Sequence, residues 1–403
     1  MTASPITFVL FGATGDLAQK KIVPALLGLF KAGIMPQGSR IIAFSRRPWT
    51  DDDYRHFIAP SLESVRDISE QDKKIFLSTL YYVQGTFDDK AAYERLKSTI
   101  NNTQVLFHLA IQPEFYEIVF TQLGQLGVVK QDSKILIEKP FGSNIETALQ
   151  LEKVLQNYFH EDQMYRIDHY LAKDGLWNII ETRKQDEALE SRLNARFVQS
   201  VEVRLFEKID IQGRGEFYET IGALRDVGQN HVLEMLAVSA MDLPETIISM
   251  PQARADALKN LKPGKLLMRG QYEGYRHEQD VKPESQTETY FKIETEHHNK
   301  RWLGVPFIIE GGKALDEKKA EVVISFKNGN EKVFNIDDGK RLVPRSLSGV
   351  GDAYEILIEK ALEGDKNYFV SIDEIIASWK FIDEVLKNVS TVPLTFYKKG
   401  SAL

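Results

Sequence analysis

Apolar runs and amphipathic stretches alternate along the first 165 residues, which predicts a parallel sheet flanked by helices. The run Ile6–Phe11 is almost continuously apolar, as in a strand that is buried on both faces. Stretches such as Ala91–Thr99 and Phe115–Leu126 have helical spacing. The predicted strands of this sheet are Ile6–Phe11, Arg40–Phe44, Leu80–Val83, Val105–Ala110 and Ile135–Ile137.

After residue 198 the pattern changes to strands with β-branched and aromatic residues, which predicts a second, α+β domain with a large, mostly antiparallel sheet. Its longest helical stretch is Tyr218–Met241. Two late amphipathic helices, Ala353–Leu362 and Ile372–Val389, are expected on this sheet or beside the first domain. The predicted strands are Val198–Phe206, Lys265–Tyr272, Tyr290–Glu294, Phe307–Glu310, Glu321–Phe326 and Lys332–Ile336.

A glycine-rich turn directly follows the first strand and opens a helix with apolar residues at helical spacing. Glycine lets the backbone approach a pyrophosphate, which then lies at the helix N-terminus where free N–H groups favour negative charge. This pattern predicts a Rossmann dinucleotide-binding domain over residues 1–170, which leaves residues 171–403 for the second, α+β domain. The turn consists of Gly12, Ala13, Thr14, Gly15, Asp16 and Leu17.

The end of the second strand indicates which dinucleotide is bound. An acid at this position would select NAD, whereas Arg46 and Arg47 follow Ser45 here. Because an arginine fork suits a 2′-phosphate, NADP is the predicted cofactor. The alternative is a solvated basic pair in a loop.

Composition excludes several classes of protein. The chain has 403 residues, is 43% apolar, contains no cysteine and has a formal charge of -7. The acidic balance argues against nucleic-acid binding, and the missing cysteines exclude a disulfide, a thiolate metal site and a thiol nucleophile. No window approaches the ~18 continuous apolar residues of a membrane helix, so no membrane partner is expected and a cytoplasmic location is predicted.

Polar residues cluster at three places where they could serve chemistry. Arg166–Asp174 lies between a strand tail and a helix, where an α/β crevice would form, although a surface loop would explain it equally well. Lys139 follows the fifth strand, either facing a cleft or capping the strand end. Asp226 and His231 lie in the Tyr218–Met241 helix, where a regular helix would separate them by roughly 140°. Taken alone, His231 would be a structural histidine.

Several separated motifs together resemble the glucose-6-phosphate dehydrogenase family over nearly the whole chain. The motifs are Gly12–Ala18 with Lys21, Glu138–Gly142, Arg166–Leu171, Gly222–Leu224 leading to Asp226 and Gln229–His231, Gly270–Tyr272, Gly304–Phe307, Gly312–Leu315 and a tail from Ala353 to Ser401.

The resemblance implies NADP-dependent oxidation of β-D-glucose 6-phosphate at C1 to 6-phospho-D-glucono-1,5-lactone, the first step of the oxidative pentose phosphate pathway. His231 would be the general base and Asp168 its orienting acid. The implied substrate-binding residues are His169, Tyr170 and Lys173 for the phosphate with Lys313 nearby, Glu207 and Asp226 for the sugar hydroxyls, and Lys21 and Lys139 where substrate and cofactor meet. Ala110 joins the cofactor-binding residues together with Lys139.

The chain departs from the family pattern at a few positions. Ala172 and Asp174 replace the usual Gly and Glu beside Lys173, and Glu310 stands where an Arg usually precedes Gly-Lys. The second domain is also shortened between Phe326 and Ala353, in the sheet through which the family forms its dimer. A homodimer through this sheet is a possible assembly. The alternatives are a dehydrogenase of another sugar phosphate or aldose and a non-catalytic NADP(H)-binding regulator.

Overall fold

The computed structural model describes residues 5–36, 38–100, 104–244, 250–337 and 352–403. The chain forms two compact units. The first comprises Met1–Gly142, Glu146–Ala172 and Pro344–Val370, and the second comprises Ser143–Ile145, Lys173–Val343 and Ser371–Leu403.

A six-stranded parallel sheet organises the first unit, with the strand order β3-β2-β1-β4-β5-β6. This order places the carboxyl ends of β1 and β4 side by side at the point where the order reverses, which is where α/β sheets bind ligands. The strands are β1 (Ile6–Phe11), β2 (Arg40–Ser45), β3 (Leu80–Gln84), β4 (Gln104–Leu109), β5 (Lys134–Ile137) and β6 (Met164–Arg166).

Helices connect these strands and cover the sheet. β1 is buried along its whole length, so its mostly apolar side chains contribute to the core on both faces of the sheet. A wide, π-helical turn at Ala18–Ile22 precedes α1, just before Pro24, which has no N–H to continue the regular ladder. The helices are α1 (Val23–Lys31), α2 (Asp51–Ile58), α3 (Glu70–Ser78), α4 (Lys90–Thr99), α5 (Tyr116–Gln125) and α6 (Ile145–Gln156).

A seven-stranded sheet organises the second unit, with the order β12-β11-β7-β10-β9-β8-β13. Four of the six strand pairs are antiparallel, and the pairs β7–β10 and β8–β13 are parallel, so the sheet is mixed but mostly antiparallel as predicted. The strands are β7 (Val198–Phe206), β8 (Lys265–Tyr272), β9 (Tyr290–Thr295), β10 (Phe307–Gly312), β11 (Lys319–Phe326), β12 (Glu331–Asn335) and β13 (Leu394–Tyr397).

The long helical stretch predicted at Tyr218–Met241 is not one regular helix. It consists of α9 (Gly215–Ala223), a π-helical segment (Leu224–Val232) and α10 (Leu233–Ala240), with a kink at Gly222, whose φ is +64°. The π-helical segment packs on β10 and β7. The remaining helices are α7 (Asp174–Gln185), α8 (Glu187–Glu190), α11 (Met250–Lys259) and α13 (Ile372–Lys387) in the second unit and α12 (Ala353–Glu363) in the first.

Candidate active site

The carboxyl end of β1 forms a turn that only glycine can make. Gly12 has a φ of +75°, and a Cβ atom added to it would lie 2.2 Å from the carbonyl oxygen of Ala110. The N–H groups of Gly12 and Ala13 donate to the carbonyl of Phe44 at 3.2 and 3.3 Å. The predicted cofactor residues Gly12 and Ala110 therefore lie together where β1 and β4 end.

The rest of the glycine-rich turn is held by short hydrogen bonds within the first unit. The hydroxyls of Thr14 and Ser45 are 2.8 Å apart, and the Gly15 N–H donates to the Gly12 carbonyl at 2.9 Å. Tyr54 donates its hydroxyl to the Ala13 carbonyl. Such a rigid backbone can approach a pyrophosphate closely, so the residues present fit a dinucleotide.

Arg46 and Arg47 extend into solvent directly after β2. The Arg47 guanidinium lies over the Trp49 ring, 4.9 Å from its centroid, and the Arg47 carbonyl accepts the Tyr82 hydroxyl at 2.8 Å. Arg46 makes no hydrogen bond or ion pair with any residue that the structure describes. Its fork is therefore available for a 2′-phosphate.

Lys139 follows a residue that is anchored in three directions. The Glu138 carboxylate contacts the buried His108 ring nitrogen at 2.9 Å and accepts the Tyr354 hydroxyl at 3.3 Å, while its carbonyl accepts the Tyr116 hydroxyl at 2.7 Å. Burial and the nearby Glu138 charge raise the pKa of Tyr354, so this hydroxyl remains a donor. The sequence did not indicate a role for His108, Tyr116 or Tyr354. Each lies within a strand or a helix, and their shared partner Glu138 is remote along the chain.

Lys21 lies in the wide turn that precedes α1. Its ammonium is 2.8 Å from the Asp352 carboxylate, and both side chains are about half-exposed. Asp352 caps the N-terminus of α12, where its side chain accepts the Tyr354 N–H. The α12 helix therefore holds Lys21 and reaches Glu138 within the same unit. No local pattern around Lys21 indicated this partner.

Asp168 lies in the polar stretch Arg166–Asp174, two residues after the end of β6. Its side chain is 2% exposed, and Oδ1 accepts the Tyr170 N–H at 2.9 Å. Residues His169–Ala172 form one 3-10 turn, with the His169 and Tyr170 rings 5.1 Å apart. The stretch is therefore an ordered turn at the carboxyl end of β6, as expected for ligand-binding residues in an α/β sheet.

The second unit contains a buried lysine between two carboxylates. Lys313 follows β10, is 3% exposed, and forms ion pairs with Glu207 and, at 3.1 Å, with Asp226. Its ammonium also lies over the Tyr218 ring, 5.7 Å from the centroid. Three predicted substrate residues therefore form one cluster. Tyr218, on α9, was not predicted to contribute to it.

His231 lies in the π-helical segment, so the angle between Asp226 and His231 that was expected for a regular helix is wrong. In a π-helix each N–H bonds to the carbonyl five residues earlier, so residues five apart share one face. Asp226 and His231 therefore lie on the same side of the segment rather than roughly 140° apart. The Asn230 amide donates to the Asp226 carbonyl at 3.0 Å. His231 itself is 4% exposed.

Glu288 anchors the kink that begins this segment, and it was missed by sequence analysis. Its carboxylate accepts the Leu224 N–H at 3.0 Å, and its carbonyl accepts the Ala223 N–H at 2.9 Å. A Cβ atom at Gly222 would lie 2.4 Å from this carboxylate. Burial raises the pKa of Glu288. Gly222 and Glu288 together set the start of the segment that carries Asp226 and His231.

Lys173 lies near the end of the polar stretch Arg166–Asp174 and begins the Lys173–Val343 segment of the second unit. Its ammonium is 2.5 Å from the Asp337 carboxylate, which also pairs with Lys318 at 3.0 Å. Although burial works to raise it, these two lysines hold the pKa of Asp337 below its ordinary value. Asp337 was not predicted as a site residue, because it lies far along the chain from the motif.

Glu310, the departure from the family pattern, is neutralised locally. Its carboxylate pairs with Lys292 at 2.7 Å and accepts the Tyr290 hydroxyl at 2.9 Å. These groups line a cavity of about 250 Å³ together with Arg204 and Lys319, whereas Lys313 contacts Glu207 and Asp226. The two charges therefore have separate partners.

Together, a Rossmann sheet with a glycine turn and a unit with a lysine–dicarboxylate cluster define a dinucleotide-dependent oxidoreductase of a polar substrate. Two family models match the chain: the glucose-6-phosphate dehydrogenase NAD binding domain over residues 9–178 and the C-terminal domain of the same family over residues 180–348 and 343–402. The chain therefore belongs to the glucose-6-phosphate dehydrogenase family.

Individual relatives agree with this assignment. The glucose-6-phosphate 1-dehydrogenase of Borreliella burgdorferi is 32% identical over 99% of this chain and 95% of its own length. A solved glucose-6-phosphate dehydrogenase in complex with its substrate glucose 6-phosphate has a TM-score of 0.89 at 28% identity, covering 99% of this chain and 95% of that one.

A third solved structure shares the fold alone. It is a super-repressor mutant of Gal80p from Saccharomyces cerevisiae, with a TM-score of 0.58 at 11% identity over 96% of this chain and 97% of that one. The predictions of family, fold class, enzymatic activity and NADP as cofactor are confirmed. No helix in the described part of the chain is long and apolar enough to cross a membrane.

Proposed function

We propose that this chain oxidises β-D-glucose 6-phosphate at C1 to 6-phospho-D-glucono-1,5-lactone through the residues described above, with NADP as hydride acceptor. The observation that supports the proposal best is the buried Lys313 cluster with Glu207 and Asp226, in a chain whose first unit carries a glycine turn and an Arg46 fork that no described residue engages. A cluster of two carboxylates offers acceptors to sugar hydroxyls, and the fork suits the 2′-phosphate of NADP.

The proposed chemistry requires one base and one positioning acid. His231 takes the proton of the C1 hydroxyl while the hydride leaves C1, and bound NADP supplies the acceptor for that hydride. Asp168 orients the imidazole and stabilises its protonated form. A histidine suits this role because its ordinary pKa is near neutrality.

Binding of the substrate is divided between phosphate and sugar. His169, Tyr170 and Lys173 supply hydrogen-bond donors for the phosphate, and Lys313, which its two carboxylates hold in place, adds a positive charge. Glu207 and Asp226 accept hydrogen bonds from sugar hydroxyls. Lys21 and Lys139 lie on the coenzyme side, where substrate and nicotinamide meet.

A panel of substrates tests the reaction. Rates of NADP reduction are measured with glucose 6-phosphate, other hexose 6-phosphates and free glucose. Glucose 6-phosphate is expected to have the highest kcat/KM, because free glucose leaves the phosphate-binding donors unpaired. Comparable kcat/KM for glucose and its 6-phosphate would favour an aldose dehydrogenase, and no turnover with any sugar would favour an NADP(H)-binding regulator.

His231→Asn tests the base. It is expected to lower kcat by about two to four orders of magnitude with KM for the sugar phosphate nearly unchanged, because general-base catalysis contributes about this much. Asp168→Asn is expected to act in the same direction but less severely, since it misorients the base without removing it. If His231 were only a core residue, the variant would instead lower the Tm and keep kcat per folded molecule.

Location and assembly are proposed as well. The reaction is placed in the cytoplasm, because a phosphorylated sugar and NADP are charged and do not cross a bilayer freely. A homodimer is proposed through the sheet of the second unit, in which β12 is an outer strand whose Val333 is 51% exposed. Light scattering of the purified chain measures the mass and decides between monomer and dimer.

A further inference from the structure

A surface cavity of about 290 Å³ lies at one end of the second-unit sheet, at the start of β7 and the end of β11. We call it the Arg192 cavity. Its wall combines positive charges with aromatic rings, although the chain as a whole carries a net charge of -7. The lining residues are Arg192, Arg196, Phe197, Phe326, Lys327 and Asn328.

Two hydrogen bonds to backbone carbonyls connect the segments that form the cavity, residues 192–197 and 326–328. The Lys327 N–H donates to the Phe197 carbonyl at 2.8 Å, and the Lys327 ammonium donates to the Ala195 carbonyl at 2.6 Å. Next to Arg192, the Asn194 side chain accepts the Arg196 N–H at 3.0 Å. The cavity is therefore a preformed feature of two connected turns.

No carboxylate of the described residues pairs with the cations of the cavity. Arg192, Arg196 and Lys327 form no ion pair with any described residue. Arg192 uses only its Nε donor, toward the Ala188 carbonyl at 3.2 Å, and the Arg196 guanidinium makes no hydrogen bond within the described part of the chain. Two guanidinium forks are therefore available to an anion.

Aromatic rings support both forks. The Arg192 guanidinium lies over the Phe326 ring at 5.4 Å, and the Arg196 guanidinium lies over the Phe197 ring at 5.2 Å. Stacking on a ring restricts the orientation of each fork, which lowers the ordering cost of binding a phosphate. Phe197 is also 37% exposed, so it offers apolar surface to a ligand.

We propose that the Arg192 cavity is a binding site for a nucleotide carrying at least two phosphates. Two forks and an ammonium match the charge of a diphosphate, and the exposed phenyl ring offers a stacking surface to the base. Inorganic phosphate would leave most of the cavity unfilled. A nucleotide uses both the charged and the aromatic parts of the wall.

This site is separate from the proposed catalytic residues. The cavity lies at the start of β7, whereas Glu207 follows the end of the same nine-residue strand. At about 3.3 Å per residue, the two ends are roughly 30 Å apart. The inference therefore does not depend on the proposed reaction.

Calorimetric titration with ADP tests the proposal, with the full chain carrying Gly12→Ala so that a Cβ atom blocks close approach to the glycine turn. NADP is left out, because it carries a diphosphate itself and would compete for the Arg192 cavity. One equivalent of ADP is expected to bind with a submillimolar Kd. The double variant Arg192→Gln with Arg196→Gln is expected to weaken ADP at least about tenfold, because two charge-assisted contacts are lost. Phe197→Ala is expected to weaken ADP severalfold and to leave pyrophosphate unchanged.

The matched control is Lys265→Gln with Lys282→Gln, which removes two exposed charges of the same unit that form no ion pair with described residues. This variant is expected to bind ADP like the Gly12→Ala chain without further substitutions. The proposal is overturned if ADP does not bind the Gly12→Ala chain, if the arginine variant binds ADP as tightly as the control does, or if pyrophosphate binds as tightly as ADP. Apart from Gly12, all substituted residues are exposed, and the Tm of each variant verifies its fold.

Discussion

The coenzyme edge of the first unit and the lysine cluster of the second unit are built in opposite ways. At the coenzyme edge, the geometry depends mainly on the main chain: Gly12 allows a close approach to Ala110, and β1 and β4 are neighbours in the parallel sheet although β2 and β3 lie between them along the chain. In the cluster, Lys313 meets Glu207 and Asp226 through side chains from three separate elements.

This difference decides how each region responds to substitution. A backbone-built site tolerates changes of side chain but fails when a Cβ atom enters the turn. A side-chain cluster keeps its backbone but loses charge balance when one partner is removed, since an uncompensated buried charge is costly. Three substitutions, ordered from the largest expected effect to the smallest, test this contrast, and a fourth, outside both regions, tests a buried carboxyl group.

Gly12→Ala is expected to have the largest effect, on the backbone-built region. The added Cβ would lie 2.2 Å from the Ala110 carbonyl oxygen at a φ of +75°, so the turn must shift. A shift on the order of 1 Å would weaken NADP about a hundredfold. The control is Gly33→Ala, at a φ of +72°, where no atom of the described residues lies within 4 Å of the new Cβ. Calorimetry with NADP should show normal affinity for the control, and equal losses in both would contradict the role of close approach.

Lys173→Ala is expected to come second; like the lysine cluster, Lys173 is held by a side-chain ion pair within the second unit, here with Asp337. The loss of a charge-assisted hydrogen bond to phosphate should cost about 1.5–3 kcal/mol of binding free energy. This loss should raise KM for glucose 6-phosphate roughly 10- to 150-fold, with KM for NADP unchanged. Lys318→Ala is the matched control, because Lys318 pairs with the same Asp337 carboxylate but is 67% exposed. Steady-state kinetics with both variants separate phosphate binding from the ion pair, and parallel changes would argue against a phosphate role for Lys173.

Arg46→Ala probes the one part of the coenzyme edge that depends on a side chain. It should raise KM for NADP about tenfold and leave KM for NAD little changed, because only NADP carries the 2′-phosphate. The measurement is initial rates with each cofactor at saturating sugar phosphate. An equal loss with NADP and NAD would refute the assignment of Arg46 to the 2′-phosphate.

Glu355→Gln should have the smallest effect, on stability alone. Burial, together with the charges of Asp352 and Glu359, raises the pKa of Glu355 to about 7. The folded protein therefore holds a proton that the unfolded chain releases above its ordinary pKa of 4.5, so stability decreases as the pH rises from about 4.5 to 7. The carboxylate also packs against Gly28, where a Cβ atom would lie 2.3 Å from Oε1.

At pH 8 the Gln variant should have a Tm higher by roughly 2–4 °C, equivalent to about 1 kcal/mol, and this gain should vanish near pH 4. Glu363→Gln is the control, since Glu363 is more exposed and pairs with Lys360 at 2.7 Å. That variant should show no gain at either pH. A Tm difference that does not depend on pH would exclude titration of Glu355 as the cause.

Much of the fold could be predicted because its signals are local. The bounds of β1, β7 and β8 agree with the predicted strands residue for residue, and most other strands differ by one or two residues at an end. Alternation of strands and helices is sufficient to indicate a doubly wound sheet. The regular helix expected at Tyr218–Met241 was wrong, because the kink depends on Glu288, which lies 64 residues from Leu224 along the chain.

By itself, the sequence determined the strand and helix periods, the glycine turn, the family and thereby the reaction, since these depend on neighbouring residues and on motifs in order. Only the tertiary structure decided which charges meet. Lys313 and Glu207 are separated by 106 residues, and Lys173 and Asp337 by 164. Such pairs produce no periodic pattern in the sequence, because an ion pair depends on the distance between two side chains in space. That distance is set by sheet register and by the π-helical segment rather than by spacing along the chain.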